Sequence, residues 1–482
     1  MFERKDKICN TVGIKCDEKY YSYGDFYSKI ISLGEKFKEY GIKEKCKVIL
    51  IMENPLEFVF NFFAISYIDA IIMPIYSQTG TEKIINMIKK YDVNFIVMSE
   101  KLKEIQLPFK KVKVKDKDIE VEIYFYSKVR DELLKDVKLI LFTSGTTNLP
   151  KAIMLSQNNI LSNIKAISQY LCVTKEKKIL LIKNLNHSSS IVGELLVGIY
   201  NGCTVVLSSK LPLTNTILRI IEKNEIDIFF AVPTILKGII THKNLNKYDL
   251  SRLKTVNFYG APMPQQDILK LIDLFPQTNF IYSYGLTEAS PRVTYIEKKD
   301  LIQHPASSGK PILDVKISIC DTNGYELEVN KQGEITVTGP NVMKGYYKND
   351  EMTNIVIKDD KLFTGDIGYI DDRGFLYVTG RKDNMLISAG KNIYPEEIEG
   401  VLTIYEGILE ALVTSEKKDD TTRILVAYVV CKTTYLNMHE LFLYLKMNLE
   451  NYKIPKLVNI IEEFEKTPSG KIKRHQSWLC DK

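Results

Sequence analysis

Short strands alternate with amphipathic helices along most of the chain, and this alternation constrains the fold more than any other feature. Apolar residues of the first predicted helix recur at three- and four-residue steps, at Phe26, Ile30, Leu33 and Phe37. Gly41 predicts the C-terminal end of this helix. Short apolar runs such as KVILI, NFIVM, TVVLSS and IDIFFAVP follow at intervals. Strands that alternate with helices form βαβ units, so we predict stacked sheets with largely parallel strands.

The sequence pattern changes in the last third of the 482-residue chain. From about residue 307, short strands separated by glycine turns predict antiparallel β-structure. Beyond TGRKD, Pro395 with Glu396 and Glu397 predicts the first turn of a helix, and the remaining residues are enough for a small domain. We predict an α/β fold with a large N-terminal domain of stacked mixed αβ sheets plus a β-subdomain (residues 1–380), and a small C-terminal α+β domain (residues 381–482).

Composition and charge exclude several classes of function. Hydrophobic residues make up 45% of the chain and charged residues 26%, which is ordinary for a folded protein. The net charge of +6 is spread along the chain, and only nine of the 66 basic residues are arginine. Nucleic-acid readers usually concentrate Lys and Arg on one face, so we predict no nucleic-acid partner.

Cysteines and apolar runs predict where the protein resides. The eight cysteines are scattered without a C-x-x-C pair, which favours reduced thiols in the cytoplasm and no structural zinc. The charged N-terminus lacks the apolar run of a signal peptide. The most apolar stretch, residues 58–76, is interrupted by Asn61 and Asp69, so we predict no membrane span.

A small polar loop follows one buried strand, in the stretch LILFTSGTTNLPKAIML (residues 139–155). Hydroxyls and backbone N–H groups in such a loop can surround a phosphate, and Lys151 supplies a cation. It is not a Walker A loop, because Pro150 precedes the lysine and Gly145 is its one glycine. From these residues alone, a phosphate-binding loop and an ordinary turn both stay open.

Five further motifs follow that loop in order: YGLTE (284–288), TGD (364–366), GRKD (380–383), GKNIYPEEIE (390–399) and TPSGKIKR (467–474). With them the chain resembles, over nearly its whole length, the adenylate-forming superfamily of acyl-CoA synthetases, carrier-protein adenylation domains and luciferases. The resemblance implies that an acid attacks the α-phosphate of ATP, releases pyrophosphate and then passes its acyl group to a thiol. Cations and oriented donors must hold the two anions together.

The resemblance also implies which residues contact ATP. The phosphate and metal residues would be Thr143, Ser144, Gly145, Thr146 and Thr147 around the β- and γ-phosphates, Lys151 as their cation, Thr287 near the α-phosphate and Glu288 as the Mg²⁺ ligand. The nucleoside residues would be Tyr284, Gly285, Gly260, Ala261 and Pro262 beside adenine, Asp366 on the ribose hydroxyls, and Arg381 on ribose or phosphate.

Further implied roles lie in the C-terminal region. Lys471 would bridge the acid's carboxylate and the α-phosphate, and its compact charge suits that role. Asp383 would be the hinge about which a mobile C-terminal domain turns between the two half-reactions. Ala389 and Gly390 would line a pantetheine channel. We expect Lys473 and Arg474 to be solvated surface charges.

The acid itself is only partly constrained. His187 corresponds to the family's aromatic or His position beside the acyl pocket, whose walls we expect near Phe230, Ala231, Asn257 and Phe258. Ser188 stands where amino-acid-activating relatives have a carboxylate, so a fatty or aromatic acid is favoured. CoA is the expected acceptor. An acyl carrier protein's phosphopantetheine is the alternative, and a non-catalytic nucleotide-binding subunit is a third.

Overall fold

The computed structural model describes residues 11–102, 105, 107–116, 119–126, 134–143, 150–208, 213–261, 263–388, 391–417, 423–432, 436–466 and 472–474. Its strands are, in chain order, β1 Val12–Cys16, β2 Lys19–Ser22, β3 Lys47–Ile51, β4 Ile71–Ile75, β5 Phe95–Ser99, β6 Lys111–Asp116, β7 Ile119–Phe125, β8 Val137–Thr143, β9 Lys151–Ser156, β10 Lys178–Leu181, β11 Thr204–Leu207, β12 Ile228–Ala231, β13 Thr255–Tyr259, β14 Asn279–Tyr284, β15 Thr294–Ile296, β16 Lys310–Pro311, β17 Lys316–Cys320, β18 Gly333–Thr338, β19 Gly345–Tyr346, β20 Ile357–Lys358, β21 Lys361–Ile370, β22 Leu376–Arg381, β23 Leu386–Ser388, β24 Lys391–Ile393, β25 Ile408–Lys417, β26 Arg423–Cys431 and β27 Leu457–Ile461.

The helices of the described residues are α1 Tyr23–Glu39, α2 Pro55–Tyr67, α3 Thr81–Lys90, α4 Gln157–Tyr170, α5 Ser188–Ser190, α6 Val197–Asn201, α7 Thr214–Asn224, α8 Pro233–Ile240, α9 Gln265–Leu274, α10 Lys298–Gln303, α11 Asp350–Val356, α12 Pro395–Ile404 and α13 Met438–Asn448. A π-helical segment, Ile191–Leu196, joins α5 to α6. Short 3₁₀ turns include Thr287–Ala289 and Lys382–Asn384.

The first helix forms as its sequence pattern predicts. Ser22 caps the N-terminus of α1 by accepting a hydrogen bond from the Asp25 amide. The four apolar residues at helical spacing are all buried, and Gly41 takes a left-handed φ of +92° just beyond the C-cap. The helix therefore ends where glycine relieves the steric cost of that conformation.

Two large sheets form the layers of the N-terminal region. In the part of the chain that the structure describes, one sheet has nine strands in the order β16-β15-β14-β13-β12-β10-β11-β1-β2, and the other has eight in the order β19-β9-β8-β4-β3-β5-β7-β6. The pairs from β11 through β10, β12 and β13 to β14 are parallel. One hydrophobic core contains buried residues of both sheets, such as Val48 and Phe230. The predicted stacked αβ sheets are thus confirmed.

The later elements are mostly antiparallel. Strands β17, β18, β21 and β20 form an antiparallel sheet, and β22 pairs with β21. Near the C-terminus, β25, β26 and β27 form a sheet that packs with α12 and α13 around a separate core. Pro395 begins α12 as predicted. Among the described residues, the structure contains no helix that is both long and apolar enough to span a membrane.

Candidate functional site

Four of the predicted site residues lie at the carboxyl ends of parallel strands, where open αβ sheets commonly bind ligands. Gly260 and Ala261 follow β13, while Tyr284 ends β14 and Gly285 follows it. A Cβ atom on Gly285 would lie 1.9 Å from the carbonyl oxygen of Pro291. Only glycine permits this approach, so the segment from residue 285 to residue 292 folds back tightly on itself.

The base of the predicted phosphate loop is a strand pair. Thr143 at the end of β8 lies opposite Lys151 at the start of β9. Ser144, Gly145, Thr146 and Thr147 lie outside the described residues. The ammonium of Lys151 lies 5.2 Å from the ring centroid of Tyr346, whose strand β19 pairs with β9. The strand pair therefore holds the predicted cation at the mouth of the loop.

Glu288 contacts the same tyrosine as Lys151. The Tyr346 hydroxyl donates a hydrogen bond to Oε1 of Glu288 at 3.0 Å, and the Met343 amide donates to the Glu288 carbonyl at 2.9 Å. Burial and the neighbouring Glu288 raise the pKa of Tyr346, so it stays a hydroxyl donor. One carboxylate at this point fits Mg²⁺, which takes most of its ligands from phosphate oxygens and water. The described residues contain no cluster of three or more metal-ligating side chains.

Asp366 joins two other predicted residues. It is buried on β21, where it lies opposite Arg381 of β22. Arg381 donates to its Oδ1 at 2.8 Å, and the Tyr284 hydroxyl donates to its Oδ2. Burial and the Asp366 charge raise the pKa of Tyr284 well above its usual value. We call Tyr284, Glu288, Tyr346, Asp366 and Arg381 the nucleotide-side residues.

The segment around His187 connects to the YGLTE motif. The His187 ring packs edge-on against Tyr76, with centroids 5.2 Å apart, and Nε2 shares a hydrogen bond with the Tyr76 hydroxyl. Ser188 Oγ lies 3.1 Å from Thr287 Oγ1. This contact places the N-terminus of α5 beside the residue predicted to lie near the α-phosphate.

The structure adds a buried group of charged residues that the sequence did not predict. We define the buried ion cluster as Lys183, Glu194, Tyr259 and Arg292. The Glu194 carboxylate lies 3.3 Å from the Lys183 ammonium and accepts a hydrogen bond from the Tyr259 hydroxyl. Lys183 and Arg292 lie over the Tyr259 ring, at 3.6 Å and 3.7 Å from its centroid. These residues come from four separate segments and meet at the carboxyl ends of β10, β13 and β14.

Two asparagines fix the backbone that carries Arg292. Asn163 donates to the Arg292 carbonyl at 2.8 Å. Asn341 donates to the carbonyls of Ala289 and Arg292, at 3.0 Å and 3.1 Å. The turn that carries Thr287 and Glu288 is therefore anchored by side chains outside it.

The expected pocket walls are buried, and some serve the core rather than a ligand. Phe230 packs in the core between the sheets, and Phe258 belongs to a separate core on the other face of its sheet. Asn257 donates to the Ile281 carbonyl at 2.9 Å and to Ser283 Oγ at 3.1 Å.

In the C-terminal part, Asp383 lies in the 3₁₀ turn after β22 with 82% of its side chain exposed. Pro262, Ala389, Gly390 and Lys471 lie outside the described residues. The expectation of a solvated charge fits Lys473, which is half exposed, but is wrong for Arg474. Arg474 pairs with both carboxylate oxygens of Glu399, at 2.6 Å and 2.8 Å. The chain just after residue 471 is thereby fastened to α12.

Profiles of two protein families match the chain. The profile described as AMP-binding enzyme matches residues 2–347, and the profile described as AMP-binding enzyme C-terminal domain matches residues 397–471. Together they cover most of the chain in the order that the motifs predict.

Curated relatives include enzymes named as CoA ligases. A 2-succinylbenzoate--CoA ligase of Bacillus cytotoxicus is 28% identical over 96% of this chain and 95% of its own length. A feruloyl-CoA synthase of Amycolatopsis is 31% identical, over 70% of this chain and 69% of its own length. A long-chain-fatty-acid--CoA ligase of Bacillus subtilis is 34% identical over 71% of this chain and 61% of its own length. These relatives differ in the acids that their names give.

Solved structures share the fold. The o-succinylbenzoate CoA synthetase of Bacillus subtilis, in complex with an acyl-adenylate intermediate, superposes with a TM-score of 0.83 at 23% identity, over 96% of this chain and 94% of its own. ATP-bound MatB of Rhodopseudomonas palustris gives a TM-score of 0.86 at 21% identity, over 99% of this chain and 96% of its own. The large and small domains of such enzymes are thus both represented in this chain.

Proposed function

The chain belongs to the AMP-binding enzyme family, and from this premise we propose that it is an AMP-forming acid–thiol ligase. It activates a carboxylic acid with ATP to an acyl-AMP, releases pyrophosphate and transfers the acyl group to the thiol of CoA. The observation that carries the proposal is that Lys151 and Glu288 both contact Tyr346. This arrangement sets a cation and a metal-binding carboxylate side by side, as a polyphosphate with its Mg²⁺ requires.

Each predicted site residue of the N-terminal region has a task in adenylation. Lys151 and Thr143 hold the β- and γ-phosphates, together with Ser144, Gly145, Thr146 and Thr147. Glu288 holds Mg²⁺, which neutralises the leaving pyrophosphate when it is bound. Asp366 accepts hydrogen bonds from the ribose, while Tyr284, Gly285, Gly260, Ala261 and Pro262 surround the adenine. Thr287, fixed by Ser188, donates to the α-phosphate beside His187.

The C-terminal region supplies the change between the two half-reactions. Residues 381–482 form the mobile domain, Asp383 is its hinge, and Ala389 and Gly390 line the thiol channel. Lys471 bridges the acid and the α-phosphate during adenylation. Two observations favour these roles: Asp383 is exposed in a short turn, and Arg474 fastens the neighbouring chain to α12. Arg381, which pairs with Asp366, contacts the ribose or a phosphate.

The proposed substrates are a carboxylic acid and a thiol. A fatty or aromatic acid is favoured, CoA is the acceptor, and an acyl carrier protein is the alternative. The eight scattered cysteines, without disulfide-type spacing, favour action in the cytoplasm.

The test is pyrophosphate release from ATP by the full chain, with a panel of fatty, aromatic, dicarboxylic and amino acids, each with and without CoA. Acid-dependent release that CoA strongly accelerates supports the proposal. Acid-dependent release that ignores CoA points to a carrier protein. Absence of release with every acid contradicts the proposed activity.

A further inference from the structure

The buried ion cluster holds more positive than negative charge. Lys183 and Arg292 face one carboxylate, that of Glu194, while Tyr259 and Tyr170 stay neutral because burial raises the pKa of both phenols. Glu194 has no exposed surface, Arg292 is 2% exposed, and the Lys183 side chain is 14% exposed. A surplus cation at such a depth is costly unless an anion compensates it.

Arg292 has two hydrogen-bond donors, on the same edge of its guanidinium, that have no partner among the described residues. Its Nη1 donates to Ser189 Oγ at 3.2 Å, whereas Nε and Nη2 have no hydrogen-bond partner among the described residues. The Tyr259 and Tyr170 hydroxyls interact with the guanidinium and raise the pKa of Arg292, but neither lies at hydrogen-bond geometry from Nε or Nη2. Nε and Nη2 share one edge of the guanidinium, and that edge matches the two oxygens of a carboxylate.

The cluster lies next to the reaction centre. Ser188 contacts Thr287, and the adjacent Ser189 contacts Arg292. Two adjacent serines therefore link Thr287 and the guanidinium, since the Cα atoms of neighbouring residues are about 3.8 Å apart. Oε2 of Glu194 likewise has no partner among the described residues, although Oε1 is paired with Lys183 and Tyr259.

We propose that Arg292, assisted by Lys183, binds a second anionic group at the far end of the acid substrate. The substrate is then a dicarboxylate, or an acid with an equivalent distal anion, in which one carboxylate reacts at the α-phosphate and the other pairs with the Nε and Nη2 donors of Arg292. This inference rests on the proposed function and narrows its substrate class. It disfavours plain fatty acids, which offer no partner to a buried guanidinium.

The experiment compares matched acids on the full chain. The pairs are glutarate with pentanoate, terephthalate with 4-methylbenzoate, and 2-succinylbenzoate with 4-oxo-4-phenylbutanoate, each assayed for kcat/KM by ATP-dependent pyrophosphate release. We expect at least one pair in which the dianionic acid is favoured about tenfold or more. In Arg292→Met that preference should fall close to unity, and in Arg292→Lys it should be intermediate, since lysine keeps the charge but loses the fork. Arg373→Met, at an exposed arginine, is the matched control and should keep the preference.

The outcomes separate the two levels of the argument. If wild-type protein uses the monoanionic acid of every pair as well as the dianionic one, the distal site is overturned while the ligase activity stands, whether or not Arg292→Met folds. If Arg292→Met lowers kcat/KM equally for both acids of a pair, Arg292 binds the reacting carboxylate or a phosphate, and the distal site is overturned. If no acid of any class supports release, the proposed function and this inference both fail.

Discussion

On the nucleotide side, the buried carboxylate of Asp366 already has two donors and Glu288 has one, whereas in the buried ion cluster two arginine nitrogens and one glutamate oxygen have no partner among the described residues. The two regions are neighbours where Tyr259 and Tyr284 end the adjacent parallel strands β13 and β14. ATP is common to the family, so residues that receive it can be held in fixed pairs. The acid differs between relatives, and its recognition is left to charges that the chain itself does not satisfy.

The largest expected effect concerns the contribution of the buried ion cluster to the stability of the protein. Glu194→Gln removes the carboxylate that faces Lys183 and Arg292, and breaking a buried ion pair in this way costs about 3–5 kcal/mol. We expect the free energy of unfolding, measured by denaturant titration, to fall by that amount. Glu326→Gln, at an exposed glutamate paired with Lys316, should change it by less than about 0.5 kcal/mol. Equal effects of the two substitutions would show that the cluster's charges are solvated.

The next largest effect concerns the nucleotide-side residues. Asp366→Asn removes the charge that Arg381 and the Tyr284 hydroxyl contact and that the ribose is proposed to use. Loss of charged hydrogen bonds should lower kcat/KM for ATP about 100-fold while KM for the acid stays unchanged. Asp350→Asn, at an exposed position in the first turn of α11, is the control. A change in the acid's KM instead would remove the distinction between the two sides.

A pH series sharpens the comparison further. Burial lowers the pKa of Lys183 to about 8, with Glu194 opposing and Arg292 adding to the shift. The ammonium is therefore charged below pH 8 and loses its proton above it. Glu194, Arg292 and Tyr259 face it. Burial raises the pKa of Tyr259, and Tyr259 and Tyr170 raise the pKa of Arg292 despite burial, so neither of these two groups changes its charge between pH 7 and pH 9.

We expect KM for the favoured dianionic acid to rise above pH 8, by up to about tenfold per pH unit, while KM for its monoanionic partner stays flat. Lys183→Arg keeps the charge at all these pH values and should abolish the rise. A rise that is the same for both acids, or that persists in Lys183→Arg, would assign the titration to another group.

The smallest effect concerns the metal-binding carboxylate. Tyr346→Phe removes the 3.0 Å hydrogen bond to Glu288 and leaves the ring beneath Lys151. Loss of one hydrogen bond to a charged group should raise the Mg²⁺ concentration for half-maximal activity about fivefold. Tyr325→Phe, at an exposed tyrosine, should leave it unchanged. A shift in the KM of the acid with no change in Mg²⁺ dependence would show that Glu288 acts in acid binding and not in metal binding.

The alternating pattern predicted the elements well, because period and turn residues act locally. The strand order could not be predicted in the same way. Strand β1 pairs with β11, joining Ile14 to Val205, and this choice depends on packing across nearly 200 residues rather than on either segment. The solvated role expected for Arg474 was wrong for a similar reason, because its partner Glu399 lies on a helix 75 residues away.

The site shows the same division. Motif residues such as Glu288 and Asp366 could be named as candidates from the sequence, because each motif carries its own chemistry, and their roles stay predictions. The buried ion cluster has no motif, since its members meet only after four segments have folded together. A weak signal exists in the sequence: Glu194 is a lone acid in the apolar run IVGELLVGIY, and Arg292 is one of nine arginines.

The two asparagines that hold the Ala289 and Arg292 carbonyls have a consequence for the history of such an enzyme. They bind the main chain and not the side chain of residue 292. A substitution there therefore keeps these hydrogen bonds, and Thr287 and Glu288 stay in position. A single substitution at residue 292 can thus change the acid specificity of a descendant enzyme while its ATP-binding residues stay in place.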